Sequence, residues 1–368
     1  MRPDRQRPLL PGEARGRTIP RGGIRSRLRS VGSVPFGALA LSFALAACTT
    51  GNAVSVPPGP DATGSIVPIT TATPEVTIPA SPATAPTSAY PMTLADDEGG
   101  SVTLATEPRR IVSLTPATTE VAFALGAGDR VVAKVEDITP YPPEADGLPV
   151  VAKFGSVDVE RIVGLDADLV IAGGNGFNPI ESIAQLRRVG IPVLVLYARD
   201  VAGVLADIEL VGTAIGEPAA SRALTASMRS SIDVISTATA RLPHPRTFYE
   251  LDAMKEIYGP AKGSAYEEMI TLAGGTPITS SDPAVYSISL ERLVAADPEV
   301  IVLGDGAYGV TAKDVAARPG WGTISAVTTG AIRPVDDVIV TRPGPRLAEG
   351  LRALALAIHP DASLPASQ

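Results

Sequence analysis

Apolar and polar positions follow two alternating rhythms between residues 108 and 360. Short, continuous apolar runs, such as residues 110–115 and 168–172, predict buried strands. Between them lie stretches with apolar residues at helical spacing, such as residues 118–126 and 180–189, with Gly at or just after their ends. Strands that alternate with helices are typical of α/β proteins with parallel sheets, because parallel strands need a crossover connection.

Residues 205–242 break this rhythm. They lack any strand pattern and have helical composition throughout, apart from two glycines and one proline. Within them, residues 217–241 predict one helix of about 25 residues, which would be about 37 Å long at 1.5 Å per residue. The alternation of strands and helices then resumes and closes with a predicted helix at residues 347–358.

One stretch of the chain occurs twice, as SVDVERIVGLDADLVIA at residues 156–172 and as SISLERLVAADPEVIVL at residues 287–303. The two copies align without a gap and place Glu160 on Glu291. Each copy has the pattern of an amphipathic helix that leads into a buried strand. The repeat predicts an α/β fold of two similar α/β lobes with parallel sheets, joined by one long helix. It also predicts a ligand cleft between the lobes, since clefts between domains are common ligand sites.

The N-terminus has the pattern of an export signal. Residues 1–30 contain nine Arg and two acidic residues, and an apolar stretch then ends in the sequence LAAC at Cys48. A run of small residues that closes on Cys resembles the bacterial lipobox, in which the Cys is lipidated and becomes the first mature residue. We therefore expect an extracytoplasmic protein anchored to the cell membrane by a lipid on Cys48.

Composition and repeat together divide the chain into five predicted segments. The segment that follows Cys48 is rich in Thr, Pro and Ala, and such a composition cannot bury a core. The segments are a lipoprotein signal peptide (1–47), a disordered tether (48–90), an N-terminal α/β lobe (108–212), an interlobe helix (213–243) and a C-terminal α/β lobe (244–360).

Charge argues against nucleic acid as a partner. Removal of residues 1–47 moves the formal net charge from −8 to −15, because nine Arg leave with only two acidic residues. No basic stripe follows residue 30, and a nucleic-acid binder with this net charge would need one.

Several motifs, in order along residues 108–360, resemble the helical-backbone (class III) solute-binding proteins of ABC transporters. They are RIVSLTPATTEVAFALG at residues 110–126, YPPE at 141–144, VERI at 159–162, TFYELD at 247–252, LAGG at 272–275 and TRPGPR at 341–346. Members of this family bind ferric siderophores, haem or vitamin B12 and deliver them to a membrane permease. The first two motifs are most similar to those of vitamin B12 binders.

The repeated glutamates have two interpretations. Glu160 and Glu291 each follow a predicted helix cap by two residues, and acidic residues in the first helical turn are stabilised by the helix dipole. The family resemblance implies instead that one Glu per lobe faces Arg residues on each half of a dimeric ABC permease. Ion pairs at the rim of such a contact guide docking more than they add affinity.

Ligand contacts are expected on loops that follow the carboxyl ends of strands. Tyr141 and Phe154 stand where vitamin B12 binders carry aromatic residues, although loop packing and burial in the core are the simpler roles for them. The resemblance also places Arg342 in the cleft; its alternative role is to bind local backbone carbonyls. The complete set of predicted ligand contacts is Thr115, Pro116, Tyr141, Phe154, Asn175, Phe177, Tyr249, Tyr286 and Arg342.

The ligand that these residues favour is cobalamin or another corrinoid. A ferric siderophore is the second candidate and haem the third. An anionic ferric siderophore would need several cationic side chains in the cleft, and only Arg342 and Arg199 are candidates for that role. Haem is often bound through His or Tyr. The two histidines of the chain, His244 and His359, lie on no predicted cleft loop. We expect no catalytic residues, no resident metal and no cofactor. The alternatives from other classes are a hydrolase that uses only carboxylates, for which no acidic pair is indicated, and an adhesion lipoprotein, which would need neither the repeated Glu nor a cleft.

Overall fold

The structure, a computed structural model, describes residues 89–365. The predicted signal peptide, Cys48 and nearly all of the predicted tether lie outside the described residues. Among the described helices, none is long and apolar enough to cross a membrane.

The first half of the described chain contains a hairpin, a six-stranded sheet and the helices around it. Its strands are β1 (Met92–Ala95), β2 (Ser101–Leu104), β3 (Ile111–Ser113), β4 (Val131–Val135), β5 (Val150–Lys153), β6 (Ser156–Val157), β7 (Leu169–Gly173) and β8 (Val193–Leu196). Its helices are α1 (Pro116–Ala124), α2 (Val159–Gly164), α3 (Ile180–Arg188), α4 (Val201–Ala214) and α5 (Pro218–Thr239).

The second half contains a four-stranded sheet, a two-stranded one and six helices. Its strands are β9 (Arg246–Glu250), β10 (Ile257–Tyr258), β11 (Thr276–Pro277), β12 (Ser287–Ile288), β13 (Val300–Leu303) and β14 (Ile332–Pro334). Its helices are α6 (Ala265–Leu272), α7 (Leu290–Ala296), α8 (Ala312–Ala316), α9 (Ser325–Thr329), α10 (Asp337–Thr341) and α11 (Leu347–Ile358).

Each half is an α/β lobe around a parallel sheet, as predicted. The strand order is β6-β5-β4-β3-β7-β8 in the N-terminal lobe and β11-β9-β13-β14 in the C-terminal lobe. All neighbours pair in parallel except the short edge strand β6. In both sheets the order reverses beside the first strand, between β3 and β7 and between β9 and β13. Ligands of open α/β sheets bind at such switch points, outside the carboxyl ends of the strands.

The predicted long helix is confirmed in α5, which has 22 residues. Its buried residues recur every three or four positions, so one face packs against α4 and α11. They are Ser221, Thr225, Met228, Ile232, Ile235 and Thr239. One apolar core cluster includes residues of both sheets together with α4, α5 and α11. The two lobes therefore share packing through these helices, which favours a rigid arrangement over a loose hinge.

The hairpin formed by β1 and β2 is an element that the sequence analysis missed. It lies between the predicted tether and the predicted first lobe, and its strands pair antiparallel from Met92 opposite Leu104 to Ala95 opposite Ser101. Val102 and Leu104 are buried in the shared core cluster. With four residues per strand, the pattern was too short to stand out from the Thr-rich sequence before it.

Candidate functional site

The duplicated sequence has a duplicated structure. In each copy a two-residue strand leads into a short helix, α2 or α7, and then into a central strand of the sheet, β7 or β13. Asp158 caps α2 by accepting a hydrogen bond from the backbone of Arg161, and Ser289 caps α7 in the same way from Arg292. These side chains satisfy backbone N–H groups that a helix start would otherwise leave without partners.

The structural repeat extends further back along the chain than the sequence repeat. The backbone N–H of Arg110 donates to Asp168 at 2.9 Å, and that of Arg246 donates to Glu299 at 2.9 Å. In both cases the Arg Nε also donates to a backbone carbonyl at the end of the repeat helix, at 2.7 and 3.1 Å. The two lobes thus repeat one unit that begins with the first strand of each sheet.

Glu160 and Glu291 occupy equivalent places on this unit, in the first turns of α2 and α7, and both are exposed. A backbone N–H and the Ser289 hydroxyl hold the pKa of Glu291 below its usual range. The structure thus places one exposed carboxylate at the matching point of each lobe; whether the two meet a partner stays a prediction.

The loops at the switch points are brought close together by a glycine. A Cβ on Gly173, the last residue of β7, would lie 2.8 Å from the Thr115 methyl group and 3.2 Å from Phe177. Only a residue without a side chain permits this approach. Thr115 caps α1 by accepting from the backbone of Thr118, and Pro116 is the first residue of that helix. Three predicted contacts, Thr115, Pro116 and Phe177, therefore lie at the N-terminal switch point.

Phe154 and Phe177 form an edge-to-face pair, with ring centroids 5.6 Å apart and an interplanar angle of 84°. Phe154 follows β5 and is 79% exposed, so it does not lie in the core. Exposing a large aromatic side chain costs free energy in an unliganded protein, of the order of 25 cal/mol per Å² of apolar surface. An aromatic pair at strand ends, with Phe154 exposed and Phe177 half-buried, is the kind of surface that a ligand covers.

Other large apolar side chains are exposed on the same kind of loop. Ile138 and Tyr141 follow β4, Met254 follows β9 and Tyr308 follows β13, with exposures of 73%, 43%, 87% and 68%. In the C-terminal lobe, β9 and β13 are the two strands on either side of the switch point. Both lobes thus present apolar groups from the edges where a cleft ligand is expected. Ile138, Met254 and Tyr308 are not among the contacts predicted from the sequence.

Tyrosines of the two lobes lie near one another, since Tyr197 influences the pKa values of Tyr266 and Tyr286. Tyr197 follows β8, and Asn175 donates to its hydroxyl at 2.9 Å. In the C-terminal lobe, Tyr286 and Tyr266 form an edge-to-face pair at 6.2 Å. Burial raises the pKa of Tyr286, and the neighbouring Tyr197 raises it further. Tyr197 was not predicted, although its place directly after a buried strand follows the rule that selected Tyr141.

Arg346 fixes the position of Tyr141. The Arg346 guanidinium lies 4.0 Å from the centre of the Tyr141 ring, which is a cation–π contact. It also donates two hydrogen bonds to Glu120 on α1, at 2.9 and 2.7 Å. The Glu120 carboxylate raises the pKa of Arg346 above its usual value. One face of the Tyr141 ring is therefore held by the protein.

Arg342 is not free to bind a ligand carboxylate. Its guanidinium donates to Glu120 at 2.9 Å, to Asp137 at 2.7 Å and to the Thr139 hydroxyl at 3.0 Å. Its side chain is 14% exposed. Protein carboxylates thus balance the charge that was expected to face the ligand, and we leave Arg342 out of the proposed ligand contacts.

Tyr249 lies in the core rather than at the cleft surface. It is 1% exposed, and its hydroxyl donates to Asp337 at 2.8 Å. Burial, with Asp337 beside it, raises the pKa of Tyr249 far above its usual value. We leave Tyr249 out of the proposed contacts too, whereas Tyr286 is half-buried and has the other tyrosines as neighbours.

Both histidines lie away from the strand-end loops. His244 precedes β9 and His359 follows α11, and together they line one crevice at the amino end of the C-terminal sheet. Burial holds the pKa of His359 below its usual value. Within residues 89–365, no three His, Cys, Asp or Glu side chains are grouped so that they could hold a metal ion.

Known proteins share this fold and sequence pattern. The model of the family described as "Periplasmic binding protein" matches residues 111–338. An uncharacterized ABC transporter substrate-binding lipoprotein of Bacillus subtilis (strain 168), YvrC, is 34% identical over 280 residues, which cover 75% of this chain and 88% of that protein.

Two solved structures are similar over the described part of the chain. The periplasmic vitamin B12 binding protein BtuF of Vibrio cholerae is 27% identical with a TM-score of 0.60, covering 68% of this chain and 96% of that one. The periplasmic heme-binding protein RhuT of Roseiflexus sp. RS-1 is 28% identical with a TM-score of 0.61, covering 69% and 99%. The chain therefore belongs to the periplasmic binding protein family, as its motifs had indicated.

Proposed function

We propose that this protein captures a cobalamin or another corrinoid outside the cytoplasm and delivers it to an ABC permease dimer. The observation that carries the proposal is the row of exposed apolar side chains on strand-end loops of both lobes, above all Tyr141, Phe154, Met254 and Tyr308. Aromatic faces cover a large flat macrocycle well, because they contribute contact area at little cost in conformational entropy.

Charge supports an uncharged or weakly charged ligand. Two arginines beside the predicted contact Tyr141 and its loop, Arg342 and Arg346, are already paired with Glu120 and Asp137. An anionic ferric siderophore would have to compete with these carboxylates for the guanidinium groups. The amide-rich rim of a corrinoid needs no such cation, and hydroxyl and amide groups such as those of Tyr197 and Asn175 suit it.

Haem is the second candidate, and the tyrosines favour it. Haem iron accepts Tyr as a protein ligand, and Tyr197 of the N-terminal lobe lies close enough to Tyr286 of the C-terminal lobe to raise its pKa. Both histidines are far from this place. RhuT, a similar structure, is a heme-binding protein. Binding of haemin with a Tyr-to-iron charge-transfer band that is lost in Tyr197→Phe or Tyr286→Phe would favour this candidate.

The same fold and family support delivery to a permease. YvrC, the relative that matches 75% of this chain, is named as an ABC transporter substrate-binding lipoprotein. Glu160 and Glu291 supply one exposed carboxylate per lobe at equivalent points, which suits a two-fold symmetric partner with basic residues at its docking surface.

The ligand is tested by titrating the purified chain with cyanocobalamin, haemin and a ferric hydroxamate. Calorimetry and quenching of the single tryptophan, Trp321, report binding. We expect a Kd for cyanocobalamin below 1 μM, or about −8 kcal/mol or better. Replacement of Tyr141 or Phe154 by Ala should weaken binding by about 1–3 kcal/mol, the range typical of aromatic anchors.

Val189→Ala is the matched control, because Val189 is exposed at the far end of α3 and on none of the strand-end loops. Tight binding of the ferric hydroxamate without any response to cyanocobalamin would contradict the corrinoid proposal. It would leave the transport proposal in place.

A further inference from the structure

The tip of the β1–β2 hairpin is acidic and lies against the N-terminal lobe's cleft loops. Residues 96–100, which join the two strands, read DDEGG. The hairpin itself is firmly seated, because Val102 and Leu104 are buried in the shared core and the Tyr90 hydroxyl donates to the backbone of Ala214 at 2.9 Å. A tip carried by such a base is held in a fixed position.

The first acidic residue of the tip anchors it to the lobe. The Asp96 carboxylate is buried and accepts from Arg187 on α3 at 2.7 Å. Its other oxygen accepts from the backbone of Gly100 at 2.5 Å and closes the turn. Arg187 in turn donates to the carbonyl of Val193, the first residue of β8, at 3.1 Å. Asp96 thus ties the tip to the strand that carries Tyr197.

The next two acidic residues reach the cleft loops themselves. Asp97 accepts from the backbone N–H of Tyr197 at 2.5 Å, and its own N–H donates to the carbonyl of Val195 at 3.1 Å. Glu98 accepts from the backbone N–H of Asn175 at 3.0 Å. Asn175 has a φ of 51°, in the left-handed region, so this contact holds a turn that few side chains favour.

The backbone of the turn leaves room for this contact. A Cβ on Gly174 would lie 2.9 Å from the Glu98 carboxylate oxygen. The two loops that the tip holds also bind each other, since Asn175 donates to the Tyr197 hydroxyl at 2.9 Å. The same loops lead to Phe177, which pairs with Phe154.

We propose that Asp97 and Glu98 are positioning residues that hold the loops of Tyr197 and Asn175 in their ligand-binding arrangement. The hairpin tip thereby sets the affinity for the ligand through these two loops. The proposal rests on the proposed function for its ligand, whereas its structural part concerns the two loops alone. Neither carboxylate needs to touch the ligand, because each acts through a backbone N–H of a residue that the proposed site contains.

A proton takes part in this arrangement. Asp207 on α4 lies beside Asp97, and burial together with the Asp97 charge raises the pKa of Asp207 to about 8. The backbone N–H of Ala198, one residue after Tyr197, donates to Asp207 and acts in the opposite direction. Below about pH 8, Asp207 therefore carries a proton that it shares with Asp97. Above that pH, two carboxylates that accept from the backbone of Tyr197 and Ala198 repel each other.

The structural part is tested by amide NMR on the unliganded chain. Glu98→Ala should shift the Asn175 amide resonance and speed its hydrogen exchange by about tenfold or more, and Asp97→Ala should do the same at Tyr197. Glu98→Gln and Asp97→Asn should restore most of the protection, because each keeps an acceptor oxygen. Glu181→Ala, an exposed acidic residue in the first turn of α3, is the control and should leave both amides unchanged.

The affinity part is tested by titration with cyanocobalamin. Glu98→Ala and Asp97→Ala should weaken binding by about tenfold, with recovery in the Gln and Asn variants. Wild-type affinity should fall as the pH rises through about 8, and Asp207→Asn should abolish that fall, because its amide donates to Asp97 at every pH.

The two parts fail separately. If the wild-type chain binds none of the three chelates, the proposed function fails and the amide measurements still decide the positioning role. If the Asn175 and Tyr197 amides are unmoved in the Ala variants, or if affinity keeps its wild-type value while they move, the hairpin tip does not control the site.

Discussion

Removal of the Glu120 carboxylate should destabilise the protein strongly, because two arginines depend on it. The Glu120 side chain is 1% exposed and accepts three hydrogen bonds, two from Arg346 and one from Arg342. The arginines come from the loop before α11, and Glu120 lies on α1, so the ion pairs tie the C-terminal part of the chain to the N-terminal lobe. Arg342 and Arg346 lie 222 and 226 residues after Glu120 in the sequence.

The loss of stability in Glu120→Ala depends on how well Arg342 and Arg346 remain paired without this carboxylate. Breaking a buried ion pair by removing one partner costs about 3–5 kcal/mol, since the other charge stays buried without compensation. Arg342 keeps Asp137, and Glu349 stays near Arg346, so the lower end of that range, about 3 kcal/mol, is expected. For a chain of this size, 1 kcal/mol shifts the Tm by about 2–4 °C, which gives a loss of about 6–12 °C.

Thermal unfolding followed by circular dichroism measures this loss, with Glu181→Ala as the exposed control. Glu120→Gln keeps one acceptor and should cost roughly half as much. A double-mutant cycle with Arg346→Met isolates the pair, and a coupling of about 1–3 kcal/mol is expected. Cyanocobalamin affinity should also fall in Glu120→Ala, because Arg346 would no longer be held over Tyr141. A Tm within 2 °C of wild type, or single-mutant losses that simply add, would refute the reasoning.

Three further predictions concern docking to the permease, the lipid anchor and the dependence of stability on pH. Glu160→Ala combined with Glu291→Ala should leave ligand affinity unchanged but reduce association with permease vesicles, most clearly at low salt, where ion pairs are least screened; undiminished transport would reduce these residues to helix-end stabilisers. Cys48→Ser should move the protein from the membrane pellet to the soluble fraction, and retention in the pellet would argue against a lipid anchor. Burial and the nearby Glu250 raise the pKa of Asp305 to about 7, and neither of its carboxylate oxygens has a hydrogen-bond partner within residues 89–365. In this pH range the folded chain therefore holds a proton on Asp305 that the unfolded chain has lost, so the free energy of unfolding should fall between about pH 4 and pH 7. Asp305→Asn should flatten that fall and stabilise the protein at pH 7 by about 1–2 kcal/mol. An unchanged pH profile in denaturant titrations would contradict this.

Local pattern was enough to predict the elements that repeat or run long. Apolar periodicity gave the bounds of α11 to the residue, and it identified α5 to within two residues. The second copy of the repeat folds as the predicted helix and buried strand, α7 and β13. These elements are specified by neighbours in the sequence, because a buried stripe recurs every three or four residues and a central strand is apolar throughout. The repeat also predicted two similar lobes, since two copies of one pattern fold alike.

The expectation that ligand contacts follow the carboxyl ends of strands selected several residues that lie there in the structure. Phe154, Phe177, Thr115 and Asn175 all follow the carboxyl end of a strand. That position can be read from the sequence once the strands are recognised. Met254 and Tyr308 follow β9 and β13 in the same way, but nothing in their local sequence showed that their side chains are exposed.

Only the tertiary structure decided which polar groups are free for a ligand. Arg342 is a cleft arginine by sequence position, yet Glu120 and Asp137 take up its guanidinium, and both partners are more than 200 residues away. Tyr249 lies in a strand that is covered on both faces, and its neighbours Phe248 and Glu250 are buried as well. In such a strand, alternation of polar and apolar residues does not show which side chains point to a ligand. The sequence by itself thus determined the elements, the duplication and the family, because these depend on local periodicity and motif. Pairing of charges, exposure of aromatic rings and the docking of the hairpin tip depend on contacts between distant segments, and folding alone brings those together.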